Sequence, residues 1–148
     1  MNRNYLLSLL VFLLISCSGS RVLPKISIIS NEFNLGQECA QSILLNESLN
    51  YFQDKGFEIV DDSNADYQIS IKSNTYKGLT NNRMHSALLQ YEFVVKDSSG
   101  NIVFQEQKRE LKGVQSNFPS AGINAYERSL DDFKWDILRP FIKQLVGE

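Results

Sequence analysis

Histidine is nearly absent from this sequence: His85 is the single one among 148 residues. Cysteine occurs twice, as Cys17 and Cys39, and tryptophan once, as Trp135. A protein metal site takes three or four ligands at workable spacing, so one His and two separated Cys exclude a His/Cys centre. No glycine-rich phosphate loop and no Gly-x-Ser-x-Gly elbow occurs, which removes the common phosphate-binding and hydrolase signatures. A net positive charge is also lacking. The formal net charge is −2 and the pI about 5.5. Such a chain has no electrostatic footprint for nucleic acid, and no polybasic run draws it to anionic lipid. No apolar run reaches the roughly 20 residues that a bilayer-crossing helix needs.

The remaining polar residues read as structure before chemistry. His85 lies in a stretch rich in Asn and Arg and reads as an exposed loop residue. Ser86 beside it makes a poor triad partner, since sequence neighbours rarely face each other. Asp61, Asp62 and Asp66 fall in a turn, and Asp131, Asp132 and Asp136 on a helix surface. Paired carboxylates can do acid–base work, but here they read as solvated turn and helix surface. No catalytic residue, metal or other cofactor is expected. Cys39 reads as a small buried hydrophobe on a helix, the other reading being an exposed reactive thiol.

What is present is concentrated first at the N-terminus. Met1-Asn2-Arg3-Asn4-Tyr5 is short and positive, and Leu6 to Ile15 is apolar at every position but Ser8. A ten-residue apolar stretch fits the h-region of an export signal. It ends in Leu14-Ile15-Ser16-Cys17. This run resembles the lipobox of bacterial lipoproteins. The resemblance implies cleavage before Cys17, diacylglycerol on the Cys17 thiol, and a further acyl chain such as palmitate on the new amino group in Gram-negative bacteria. Residues 1–16 are then a signal peptide. One acyl chain binds a membrane reversibly, whereas two or three make the anchor effectively permanent. Position 18 is Ser where Asp would retain a lipoprotein in the inner membrane, so the outer membrane is implied, with the domain on its periplasmic face. Lipid on Cys17 also leaves Cys39 without an intrachain disulfide partner.

Residues 17–24 are a lipidated Cys and a tether, and Ser18 to Pro24 spans at most roughly 25 Å. Residues 25–148 suit one domain. Lys25 to Ser30 reads as a strand. Leu35 to Lys55 reads as a helix capped by Asn31 or Asn34, because Leu35, Cys39, Ile43, Leu49 and Phe52 recur near helical spacing, and Gly56 stops it. Phe57 to Val60 is a short strand, Asp61 to Asn64 a turn, and Asp66 to Ser73 an alternating, half-buried strand. Asn74 to His85 is polar and reads as a loop. Ala87, Leu89, Tyr91, Phe93 and Val95 form the clearest strand face, and Asp97 to Asn101 turns it into a return strand from Ile102 to about Leu111. A second loop runs from Gln115 to Gly122. Ile123, Tyr126, Leu130, Phe133, Ile137, Phe141 and Leu145 make one stripe on a final helix, kinked by Pro140 near Asp136 to Arg139. The fold class is α+β: a two-layer sandwich with a mainly antiparallel sheet of four or five strands and two helices on one face.

Two features stand out as candidate interface. Arg83 and Lys77 come near Lys108 and Arg109 if the strands pair as hairpins, giving a basic patch for lipid-A phosphates or an acidic partner, or else a charged strand end that discourages edge pairing. Trp135 lies off the stripe. With Leu138 and Ile142 it forms a second strip, which packs under the loop around Phe118 or meets a partner or membrane.

The element order, the phrase Gly56-Phe57-Glu58-Ile59-Val60 before Ala65-Asp66-Tyr67-Gln68-Ile69-Ser70-Ile71, and the Asp97-Ser98-Ser99-Gly100-Asn101 turn resemble small α/β envelope lipoproteins of the LPS-assembly lipoprotein (LptE-like) type. That resemblance implies a non-enzymatic outer-membrane lipoprotein that binds or stabilises an envelope assembly partner, in lipopolysaccharide export or secretion machinery. The alternative is a lipid-anchored protein that binds a small ligand, or a hydrolase with an unrecognised site.

Overall fold

Strand alternation builds most of this molecule, and a computed structural model describes it over residues 22–147. Cys17 and the stretch read as an export signal lie outside the described residues. Five strands form one sheet in the order β2-β1-β3-β4-β5. They are β1 (Ile26–Asn34), β2 (Gln37–Glu38), β3 (Tyr67–Asn81), β4 (Met84–Asp97) and β5 (Ile102–Gln115). β1 and β3 run parallel and the other neighbours antiparallel. The helices are α1 (Ile43–Asp54), α2 (Phe118–Phe133) and α3 (Arg139–Val146), with a π-helical turn (Lys134–Leu138) joining the last two. All pack on one side of the sheet, so the expected two-layer α+β architecture is borne out.

The core lies between these layers. Ile69 and Ile71 of β3 and Ala87, Leu89, Phe93 and Val95 of β4 point into it and are buried. The final helical stretch supplies Tyr126, Phe133, Ile137 and Phe141, each fully buried. Phe133 meets Tyr91 edge-on at 5.3 Å between ring centroids, and Phe141 meets Phe52 and Phe93 at 6.0 Å each. Edge-to-face pairs of this kind add to the gain from apolar burial itself. The disturbance predicted from Pro140 takes the form of the π-helical turn just before it, where the ring cannot accept the regular ladder.

Four sequence expectations are corrected here. The first helix begins at Ile43, not Leu35, because Leu35 (φ 55°) and Gly36 (φ 80°) turn β1 back on β2. The apolar spacing of Leu35 and Cys39 mimicked a helix. Residues 74–85 are not a loop. β3 and β4 continue through them to a tight turn at Asn82 and Arg83, whose positive φ values of 44° and 68° match the twist of a hairpin. The loop expected at 115–122 is mostly strand end and helix. Asn117 caps α2 by accepting the Ser120 N–H at 2.8 Å, and Pro119 sits in the first turn, where its missing donor is harmless. Phe57 to Val60 reduces to a single parallel bridge between Ile59 and Ile26.

The Asp97 turn forms as expected. Its side chain accepts the N–H groups of Ser99 and Asn101 at 2.9 Å each, and bonding to Asn101 holds its carboxyl below the ordinary carboxylate range.

Candidate interaction surface

Helices cover one face of the sheet, and the other is open. On the open face Ile29, Phe33 and Tyr76 are 53%, 38% and 51% exposed. They point there because each alternates with a core-facing neighbour: Ile28, Glu32 and Thr75 face the helices. Phe33, Tyr76, Lys72, Gln90, Glu92 and Gln107 surround a hollow of about 510 Å³ on this side. Its walls mix aromatic rings with amide and charged side chains. That mixture is the chemistry of a protein-binding patch more than of an oil-filled pocket.

The candidate interface residues do not come together. Arg83 sits at the tip of the β3–β4 hairpin, near the exposed Leu79 and Met84. Lys108 stands opposite Tyr91 in β5, eight residues from Arg83 along β4 and so roughly 26 Å away at the usual strand rise. It points to the helix side, where its Nζ lies 2.9 Å from an Asp136 oxygen, and that bond raises the lysine pKa. Arg109 donates to Gln107 at 3.1 Å. A continuous Arg83–Lys108–Arg109 patch is therefore ruled out by the register: the return strand expected to end near Leu111 runs on to Gln115, and it is Gln115 that pairs with His85 beside the tip. Trp135 is 55% exposed and does not reach Phe118. Its ring lies under the Arg139 guanidinium at 4.7 Å, while Leu138 and Ile142 of the same strip turn into the core. Phe118 instead packs on His85 at 4.5 Å and beneath Lys77 at 5.2 Å.

His85 lies 3.1 Å from the Thr80 hydroxyl, so its ring is occupied on two sides. Asp66 accepts the Lys25 backbone N–H at 2.7 Å. Among the described residues no group of three or more His, Cys, Asp or Glu side chains is placed to hold a metal ion. No helix among them is long and apolar enough to cross a membrane.

Sequence reading missed one polar cluster. Glu32 is 3% exposed, and its carboxyl oxygens accept N–H groups of α1 and the Ser30 hydroxyl. Nearby, the Tyr126 hydroxyl donates to the Phe33 carbonyl at 2.8 Å and meets Ser73 at 2.8 Å. Burial, with Glu32 close by, pushes the Cys39 thiol pKa up and so disfavours the thiolate. Placing Glu32 between apolar Ile28 and Phe33 on a strand was the available signal.

No family model matches the chain, and no characterised protein matches it in sequence. Solved structures do resemble it. A hypothetical protein from Chlamydia trachomatis superposes with a TM-score of 0.50 at 10% identity, over 84% of this chain and 99% of that one. That similarity shows the fold. A minor lipoprotein from Acinetobacter baumannii gives a TM-score of 0.43 at 17% identity, over 85% of this chain and 92% of that one. Rare lipoprotein B from Shewanella oneidensis gives 0.44 at 8%, over 82% and 94%. Bacterial lipoproteins are thus among its structural neighbours.

Proposed function

We propose that this chain is a bacterial lipoprotein, held on the periplasmic face of the outer membrane by lipid on Cys17, and that its domain binds or stabilises an envelope assembly protein without catalysing a reaction. The observation that carries the anchor is the Leu14-Ile15-Ser16-Cys17 run at the end of a ten-residue apolar stretch. Residues 1–16 are removed, and residues 25–148 work close to their membrane because the tether is short. The binding role is supported by the open face of the sheet. Phe33 and Tyr76 line one hollow there and, with Ile29, keep apolar area in water. Lipopolysaccharide export or secretion machinery is the class of partner in keeping with the LptE-like element order.

Two measurements test this. Mass spectrometry and membrane fractionation should find acylated wild-type protein in the outer membrane and soluble Cys17→Ala protein. A photo-crosslinker at Gln90, in the middle of the open face, should capture a defined envelope protein, and one at Glu127 on α2 should not. An unmodified wild-type mass, or equal crosslinking from both positions, refutes the respective half of the reading. Saturable binding of a small metabolite in the 510 Å³ hollow would favour the ligand-binding alternative.

A further inference from the structure

The described chain enters the domain at Leu23, beside the C-terminal end of α1 and against α3. Leu23 lines a groove of about 430 Å³ together with Tyr51, Lys55, Arg139 and Lys143. Lys55 and Lys134 both lie over the Tyr51 ring, at 5.8 and 5.3 Å, and Arg139 lies over Trp135. Three cations thus stack on two aromatic rings, and Lys143 lines the groove beside them. Lys134 pairs with Glu47 at 3.6 Å. Among the described residues Lys55, Arg139 and Lys143 have no carboxylate within ion-pair distance. The groove therefore carries a local excess of positive charge, although the chain as a whole is acidic.

We propose that this cationic, aromatic surface rests on the anionic phospholipid headgroups of the membrane that holds Cys17, an inference that stands on the lipid-anchor reading above. From Cys17 to Leu23 the chain reaches at most roughly 20 Å. The groove cannot leave the membrane's neighbourhood, whereas the Asn82–Arg83 tip lies some 45 Å further along β3 at the usual rise. Phosphate oxygens match Lys and Arg side chains, and each basic side chain near an anionic surface favours contact roughly fivefold. Trp135 has the amphipathic ring suited to the headgroup level, with a guanidinium already stacked on it. The orientation turns the open sheet face and the hairpin tip toward the periplasm.

Trp135 is the single tryptophan, so its fluorescence reads the contact directly. The lipidated full-length protein is reconstituted on vesicles of phosphatidylcholine alone and of phosphatidylcholine with phosphatidylglycerol. Flotation measures anchoring, and Trp135 emission and its quenching by brominated lipid measure seating. The expectation is flotation with both vesicles, but a blue shift and quenching only with phosphatidylglycerol, fading as salt is raised. Arg139→Glu with Lys143→Glu should float as the wild type does and lose the shift. Lys72→Glu with Lys112→Glu, the same charge change on the open face, should keep it. Flotation with Trp135 emission indifferent to phosphatidylglycerol overturns the seating alone, as does equal loss in both double variants. Failure to float with phosphatidylcholine overturns the anchor, and the seating falls with it.

Discussion

Glu32 of β1 accepts the backbone N–H of Leu45 at 2.8 Å, reaching across from the sheet to the first turn of α1. Its other oxygen takes the Leu44 N–H at 3.0 Å. The first N–H groups of a helix have no partner within it, and a buried start needs an outside acceptor. Ser42, at the usual capping position, makes no such bond. Sheet and helix are therefore joined by a long-range cap. Glu32→Gln replaces an acceptor oxygen with an amino group facing an N–H donor. It should destabilise the fold by about 1–3 kcal/mol in urea unfolding. Ser42→Ala should change stability by no more than about 0.5 kcal/mol. Equal effects would show that Glu32 does not cap α1.

Gly113 governs how closely α2 approaches β5. A Cβ there would run into the Ala121 carbonyl oxygen and the Ala125 backbone nitrogen. Backbone cannot swing away, so Gly113→Ala must push the helix outward, an overpacking change that costs 1–3 kcal/mol or more, to order of magnitude. At Gly122 the obstacle is the Asn34 side chain, with the Thr75 hydroxyl behind it, and side chains can shift. Thermal melts should rank Gly113→Ala well below Gly122→Ala. The reverse order would mean that α2 is free to retreat from the sheet.

These contacts mark where sequence reading stops. The face formed by Ala87, Leu89, Tyr91, Phe93 and Val95 is legible because alternation in β4 matches burial directly. The stripe from Tyr126 to Phe141 is legible for the same reason at helical period. The β1–β2 turn is not, since Leu35 and Cys39 match a helical repeat while the positive φ at Leu35 leaves no mark in composition. Nor are the outer halves of β3 and β4: they are polar because they project past the helices, and polarity reads as loop. The cationic surface is assembled from Lys55, Lys134, Arg139 and Lys143, which lie on separate elements, so no run of basic residues announces it.

Two buried tyrosines should respond oppositely to loss of a hydroxyl. Burial, helped by Asp132, Asp136 and Glu106, pushes the Tyr91 pKa well up, and its hydroxyl has no hydrogen-bond partner among the described residues. Tyr126 is bonded to Phe33 and Ser73. An unmet buried polar group costs roughly 1–3 kcal/mol, whereas a satisfied one contributes. Tyr91→Phe should leave the melting temperature unchanged or raise it, and Tyr126→Phe should lower it. A fall with Tyr91→Phe as large as with Tyr126→Phe would mean that the Tyr91 hydroxyl is satisfied.

Three neighbours on the last helical stretch separate packing from surface. Phe133 and Ile137 are fully buried, with Phe133 wedged edge-on between Tyr91 and Phe93 at 5.3 and 6.0 Å. Truncating either to Ala removes core area and leaves a cavity beneath the π-helical turn, at a cost of about 2–5 kcal/mol. That is comparable with the whole stability of a small domain. Trp135 stands between them in sequence, is 55% exposed, and has the Arg139 guanidinium as its stacking partner. An exposed cation–π contact contributes only about 0.5–1 kcal/mol. Trp135→Ala should therefore leave the melting temperature within a few degrees of wild type, while Phe133→Ala and Ile137→Ala lower it strongly. The same melts decide between two roles for the ring. If Trp135→Ala destabilises as much as Phe133→Ala, the indole is core and cannot serve as a surface anchor. If it does not, the indole is surface and free to make the membrane contact that its fluorescence would report.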